Sequence, residues 1–226
     1  MHDGHRDRLR ERFLKEGLDR FEPHNILELL LFYGIPRKDT NEIAHALINK
    51  FGSLSGVLDA PIEEIKTVEG IGENAAVFLK LLPAASRAYL DDRANGIRIV
   101  NDSESAGELL LTKFIGRPVE VFVLLLLDSK GKVLFCDVVT EGSIHSVELN
   151  IKKMIALCSK YDAASAIIAH NHPSGVALPS NADLVTTERF RQALELIHVR
   201  LTDHLIVANN DYVSLGDTPN LRYLFD

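Results

Sequence analysis

The 226-residue chain is 46% apolar and 25% charged, figures ordinary for a globular protein of one large or two small domains. A formal charge of -7 argues against a protein that coats nucleic acid by charge alone. No apolar run nears the roughly 20 residues a membrane-spanning helix needs, and the charged start MHDGHRDRLRERF lacks the apolar segment of a signal peptide.

Residues 1 to 90 have the grammar of helices punctuated by turns, and are expected to form a small all-α domain. Arg6, Arg8, Arg10 and Arg12 alternate with Asp7 and Glu11, the pattern of a solvated helix face. From Asn25 to Gly34 a cap, an apolar run and a terminating glycine define one helix, with Pro36 just beyond. Asp39-Thr40-Asn41 caps another, through Ile43, Ala46 and Leu47, which ends at Phe51-Gly52. A short helix over Pro61 to Ile65 and a longer one over Glu73 to Leu82 flank Val68-Glu69-Gly70-Ile71-Gly72. The polar residues 91–105, with Ala94-Asn95-Gly96 inside them, suit a linker.

Residues 106–226 are written differently. A helix is expected over Ala106 to Phe114, then a strand in the continuous apolar run from Val119 to Asp128. Lys130-Gly131-Lys132 turns it into a second strand, Val133 to Thr140. Val147, Ile151, Met154, Ile155 and Cys158 recur at helical spacing, with Ser146 as the cap. Ala166 to Ala169 is a short buried strand, and residues 181–198 form a helix with Phe190, Leu194 and Ile197 on one face. Leu205 to Val207 and Tyr212 to Leu215 are closing strands around Asn209-Asn210-Asp211. Strands interleaved with helices, one pair of them a hairpin, imply an α/β domain with a mixed sheet. Cys136 and Cys158 have no CxxC partner and suit reduced core thiols in a cytoplasmic protein.

The buried strand runs into His170-Asn171-His172-Pro173. Alternate strand residues share a face, so His170 and His172 converge at the strand's end. Two neutral imidazoles suit Zn2+, and Asp183, eleven residues later, supplies a normal third ligand. Three protein ligands leave a fourth position for water, the mark of a catalytic site. A structural reading stands beside this one: Pro173-Ser174-Gly175 is turn chemistry, and Ser180 with Asp183 could be a capping box that needs no metal. The whole spacing, H-x-H-x7-S-x2-D, arises by chance about once in a thousand chains of this composition.

That spacing resembles the JAMM/MPN metalloprotease signature, and HNHPSG with the later Asp203-His204-Leu205-Ile206-Val207 resembles the bacterial RadC branch of that family, along essentially the whole chain. The resemblance implies zinc on His170, His172 and Asp183 in an MPN α/β fold, and hydrolysis of an amide or isopeptide bond in a peptide or protein substrate. It implies a general base at a strand start upstream of the histidines, where Glu120 is the matching residue and Glu141, one strand on, competes. Glu120 would take a proton from a zinc-acidified water, and Ser180 would donate to the oxyanion. His204 and Asp203 are more simply a satisfied core pair than further ligands.

In the N-terminal segment, Glu69 to Ala76 resembles a helix-hairpin-helix, a motif whose glycines let backbone N–H groups approach a DNA phosphate. Residues from Ile35 to Ala44 fit a degenerate first copy. Here Glu73 and Asn74 follow the glycines where a basic residue is usual, and residues 1–90 hold 12 Lys and Arg against 14 Asp and Glu, a net charge of -2. Any DNA contact is therefore expected to be weak. RadC's traditional association with DNA repair keeps a second function in view, a DNA-associated factor with a zinc-binding domain and little peptidase activity.

Overall fold

The structure, a computed structural model, describes residues 3–36, 38–93, 98–142, 147–209 and 211–226. The cap at Ser146, the turn at 94–96 and Asn210 lie outside these residues. The chain divides into two compact units, Met1–Ser86 and Arg87–Asp226.

The first unit is helical, as expected. Helix α1 spans Asp3–Glu16. Helix α2 (Pro23–Gly34) opens on a proline, whose missing N–H is not needed at a helix start. Helix α3 (Asn41–Phe51) stops at Gly52, which adopts the left-handed conformation that favours glycine. A six-residue helix, α4 (Leu54–Asp59), is capped by Ser53 accepting from Gly56 N–H; it is too short for periodicity to signal. Helix α5 spans Ile62–Lys66, and α6 spans Glu73–Arg93. The sequence suggested that α6 stops at Leu82, before Pro83. Pro83 instead sits inside the helix with its ring buried, and that packing offsets the lost hydrogen bond.

Helices α2–α3 and α5–α6 form two hairpins that lock into each other. Gly70, at φ +89°, would with a Cβ press to 2.6 Å from Ile43 Cδ1 of α3. Gly34 lies so close to α6 that a Cβ there would meet Ala75 Cα at 3.0 Å. Each turn glycine thus admits the first turns of the other hairpin's second helix. Leu27, Leu31, Leu47, Ile65, Ala76 and Leu79 fill the core between them.

The arginines of α1 do not form a merely solvated face. Arg6 donates to Ile35 O at 2.8 Å and to Lys38 O, and its guanidinium lies 4.7 Å from the Phe32 ring centre. Arg12 covers Phe21 at 4.4 Å. A guanidinium can stack on a ring while its edge donates hydrogen bonds, so charge alternation alone mistook a docking face for a wet one.

The second unit is built on a five-stranded mixed sheet in the order β2-β1-β3-β4-β5. Its strands are β1 (Val121–Leu127), β2 (Val133–Glu141), β3 (Ser165–Asn171), β4 (Arg200–Ala208) and β5 (Asp211–Ser214). Among the described strands only β3 and β4 run parallel, joined through a helix as a parallel pair requires. Helix α7 (Ser103–Leu111) packs on one face, against Val121, Val123 and Leu125. Helices α8 (Val147–Tyr161) and α9 (Asn181–Glu195) carry Met154 and Phe190 to the other, against Phe122, Leu124 and Leu126. β1 is buried on both sides, which explains its unbroken run of Val, Phe and Leu.

The stretch 91–105 carries more structure than its polar composition suggested. Asp91 to Arg93 continue α6, Ile99 bridges to Lys132, and Asp102 opens α7 in a capping box with Ser105. Asp102 and Ser105 are thus caps rather than spacers. Both cysteines are free thiols, and burial pushes Cys136 up to about 12 and Cys158 up to about 11. Among the described residues, no helix is long and apolar enough to cross a membrane.

Candidate metal centre

β3 runs past its expected end at Ala169 to Asn171, so both His170 and Asn171 lie in the strand. The His172 backbone N–H continues the ladder to Val207 O at 2.7 Å. By alternation His170 and His172 share the face of Ile168, toward α8 and α9. The chain then turns at Gly175 (φ +85°), whose N–H returns to His172 O at 3.0 Å. Asn209 donates to Gly175 O at 3.4 Å and ties the loop to the end of β4. The loop delivers Ser180 as the cap of α9 and Asp183 into its first turn.

His170, His172 and Asp183 meet, and their donor atoms could hold a metal ion. His170 Nε2 lies 2.9 Å from His172 Nε2 and 3.2 Å from Asp183 Oδ1, and His172 Nε2 lies 3.4 Å from Asp183 Oδ2. The His170 side chain is wholly buried and that of Asp183 nearly so, while His172 keeps 18% of its side-chain surface exposed. The cluster is therefore closed on one side and open on the other. His172 Nδ1 donates to Val176 O at 3.0 Å, which leaves its Nε2 lone pair aimed into the cluster.

The Ser180–Asp183 capping box is also present, so Asp183 belongs both to a helix cap and to the cluster that could hold a metal. Ser180 N–H and Ser180 Oγ each donate to Asp183 Oδ2 at 2.7 Å, and Asp183 N–H returns to Ser180 Oγ at 3.2 Å. Burial alone would raise the Asp183 carboxyl. The adjacent His170 ring and the hydrogen bonds from Ser180 outweigh it and hold the group well below the usual carboxylate range.

Glu120 immediately precedes β1, half-buried. Its carbonyl accepts Gly142 N–H at 2.8 Å, and Phe122 pairs with His170, so alternation sets Glu120 on the histidines' face. Asn171 braces this strand start: its Oδ1 accepts Val121 N–H at 2.7 Å and its Nδ2 donates to Val119 O at 3.0 Å, one residue on each side of Glu120. Glu141 pairs with Val121, on the opposite face, and lies 3.7 Å from the Arg117 guanidinium.

Asp203 and His204 are not a side-chain pair, because adjacent strand residues point to opposite faces. Asp203 accepts Ser214 Oγ–H at 2.6 Å and Gly216 N–H at 2.8 Å, holding the turn after β5. His204 lies behind the cluster, its Nε2 2.8 Å from His170 Nδ1 and its Nδ1 2.6 Å from Thr187 Oγ1. Sequence reasoning passed over Thr187 altogether. The available signal was its place four residues after Asp183, one turn along the same helix face.

A mixed sheet with helices on both faces, a His-x-His pair at a strand end and an Asp in the following helix's first turn together describe a JAB (MPN) domain. The chain belongs to the RadC-like JAB-domain family, whose pattern matches residues 100–221, while residues 4–77 match the UPF0758 N-terminal family. It is similar to a UPF0758 protein of Fusobacterium nucleatum subsp. nucleatum, with 34% identity over 218 residues that cover 93% of this chain and 94% of that one. JAB/MPN domains in general include metalloproteases.

Proposed function

We propose that this protein is a zinc-dependent hydrolase that uses an activated water to cleave an amide or isopeptide bond in a peptide or protein substrate. The observation that carries the reading is the spacing of the three donors. Ligands about 2.05 Å from a tetrahedral ion stand about 3.3 Å from one another; the two imidazole nitrogens stand 2.9 Å apart, His170 Nε2 stands 3.2 Å from Asp183 Oδ1, and His172 Nε2 stands 3.4 Å from the other carboxylate oxygen, Oδ2. Two imidazoles and a carboxylate match zinc's preferences, and the exposed edge of His172 leaves a side for water and substrate. Zinc bound there would supply Lewis acidity and bring the pKa of a water to about 7.

The chain's own groups do the rest. Glu120, on the face of the histidine pair and braced through Asn171, accepts a proton from the attacking water and passes it to the leaving amine. Glu141 points the other way, toward Arg117, which favours Glu120. Ser180 donates its single hydroxyl proton to Asp183, so orienting that carboxylate is its better supported task. Donation to an oxyanion would require the hydroxyl to turn away from Asp183. Two free thiols with raised pKa values suit a reducing cytoplasm.

The reading is tested on a panel of fluorogenic peptide-amide and isopeptide substrates. Glu120→Gln should retain zinc and lose activity by 10²-fold or more, the usual contribution of positioned proton transfer. Glu141→Gln should stay near wild type. A larger loss in Glu141→Gln would move the base to β2, and a panel that wild type leaves uncleaved would remove the hydrolase reading.

A DNA-associated role is the second reading, favoured by the two interlocked hairpins of the first unit. Contact would run through the backbone N–H groups near Gly70 and Gly72 at the start of α6. Glu73 stands at that start and holds Lys66 at 2.8 Å, so the contact would be weak.

A further inference from the structure

The hydrogens behind His170 can be counted. The Thr187 hydroxyl has one proton, donated to Asp183 O at 2.7 Å. At 2.6 Å from His204 Nδ1 its oxygen must therefore accept, and Nδ1 carries the hydrogen. His204 is 1% exposed and, among the described residues, its ring nitrogens meet only Thr187 and His170, with no carboxylate on either to pair a charge, so the ring is neutral. Its Nε2 then offers only a lone pair, and the contact at 2.8 Å must be a hydrogen bond donated by His170 Nδ1. A neutral His170, the form that can bind a metal, therefore has no hydrogen on Nε2, and its lone pair faces His172 and Asp183.

Resting on the zinc reading above, we propose that Thr187 and His204 are positioning residues that lock His170 in its metal-ligating tautomer before any ion arrives. A histidine in the other tautomer must exchange a proton before it can bind. Metal-ligating histidines usually give their second N–H to a carboxylate, a backbone carbonyl or water. A neutral imidazole in that place fixes the tautomer without adding negative charge, so Asp183 remains the only anion among the ligands and their partners. The chain Asp183 O, Thr187, His204, His170 also ties the first turn of α9 to the end of β3, joining two ligands through one relay.

The tautomer can be observed directly in the metal-free full-length protein. With 15N-labelled histidine, long-range proton–nitrogen correlations should show His170 protonated at Nδ1. Thr187→Val keeps the shape but frees the His204 tautomer, and should give a mixed state at His170. His204→Leu fills the space without an acceptor, and should weaken zinc binding 10- to 100-fold in competition with a chromophoric chelator. His204→Gln, whose amide can accept from His170 and donate to Thr187, should recover part of that loss. His170 protonated at Nε2 in metal-free wild type would overturn the lock, as would a tautomer and zinc affinity unchanged in His204→Leu. A wild type with the Nδ1–H tautomer that binds no zinc would sink the hydrolase reading and still support the lock.

Discussion

Asp183 serves Ser180 and His170 at once: its Oδ2 accepts two hydrogen bonds from Ser180 at 2.7 Å, while its Oδ1 lies 3.2 Å from His170 Nε2. The helix cap is the device that aims Asp183 at the histidines. Ser180→Ala removes both the hydroxyl that holds Asp183 and the oxygen that accepts Asp183 N–H. Thermal unfolding should show a loss of about 1 kcal/mol, the usual cost of losing such a cap. Zinc titration should show affinity weakened by about tenfold. A lower melting temperature with unchanged zinc affinity would mean that the cap serves the helix alone.

In protein stripped of metal, His204 should govern the mildly acidic limb of stability. Burial first, and the neighbouring His170 second, hold its pKa well below the ordinary 6.5. The unfolded chain therefore takes up the proton more readily, so stability is intact above about pH 6.5 and declines as the pH falls below it. Asp183, with its folded pKa lowered, adds stability that is present above about 3.8 and lost only as the pH drops further. Urea midpoints measured with chelator present should decline from pH 6.5 downward in wild type and stay flatter in His204→Leu. Asp183→Asn should change only the more acid end. An equal decline in His204→Leu would place the titrating group elsewhere.

Much of this was legible in the chain, for identifiable reasons. The run VFVLLLL announces a strand buried on both faces, and His170, His172 and Asp183 come together as their spacing implied because alternation and a helix cap are local rules. What sequence concealed is set by partners far along the chain. Pro83 looks like a stop until its ring is seen buried, and the α1 arginines look solvated until Phe32 and Phe21 lie beneath them. His204 belongs behind His170 only because β4 pairs in parallel beside β3, a register no local pattern encodes. Glu120 and Glu141 separate for the same reason: each stands at a strand end, and only the β1–β2 register sends them to opposite faces.

The first unit should bind duplex DNA weakly. Lys66, the base closest in sequence to the glycines, is engaged by Glu73 at 2.8 Å and Glu63 at 3.4 Å. Fluorescence anisotropy with a short duplex should give dissociation constants in the roughly 10⁻⁴–10⁻⁶ M range of non-specific contacts, with affinity falling steeply as salt is added. Glu73→Gln should tighten binding modestly by releasing Lys66. Nanomolar affinity that survives physiological salt would instead make the hairpins a dedicated DNA element.

The most direct measurement is the zinc content of the full-length protein purified without a histidine tag. Elemental analysis should find one zinc per chain in wild type and in Glu120→Gln, and far less in His172→Ala and Asp183→Ala, with all four proteins folded by circular dichroism. Wild type well below one equivalent, or zinc undiminished in His172→Ala, would contradict the metal centre on which the proposed chemistry rests.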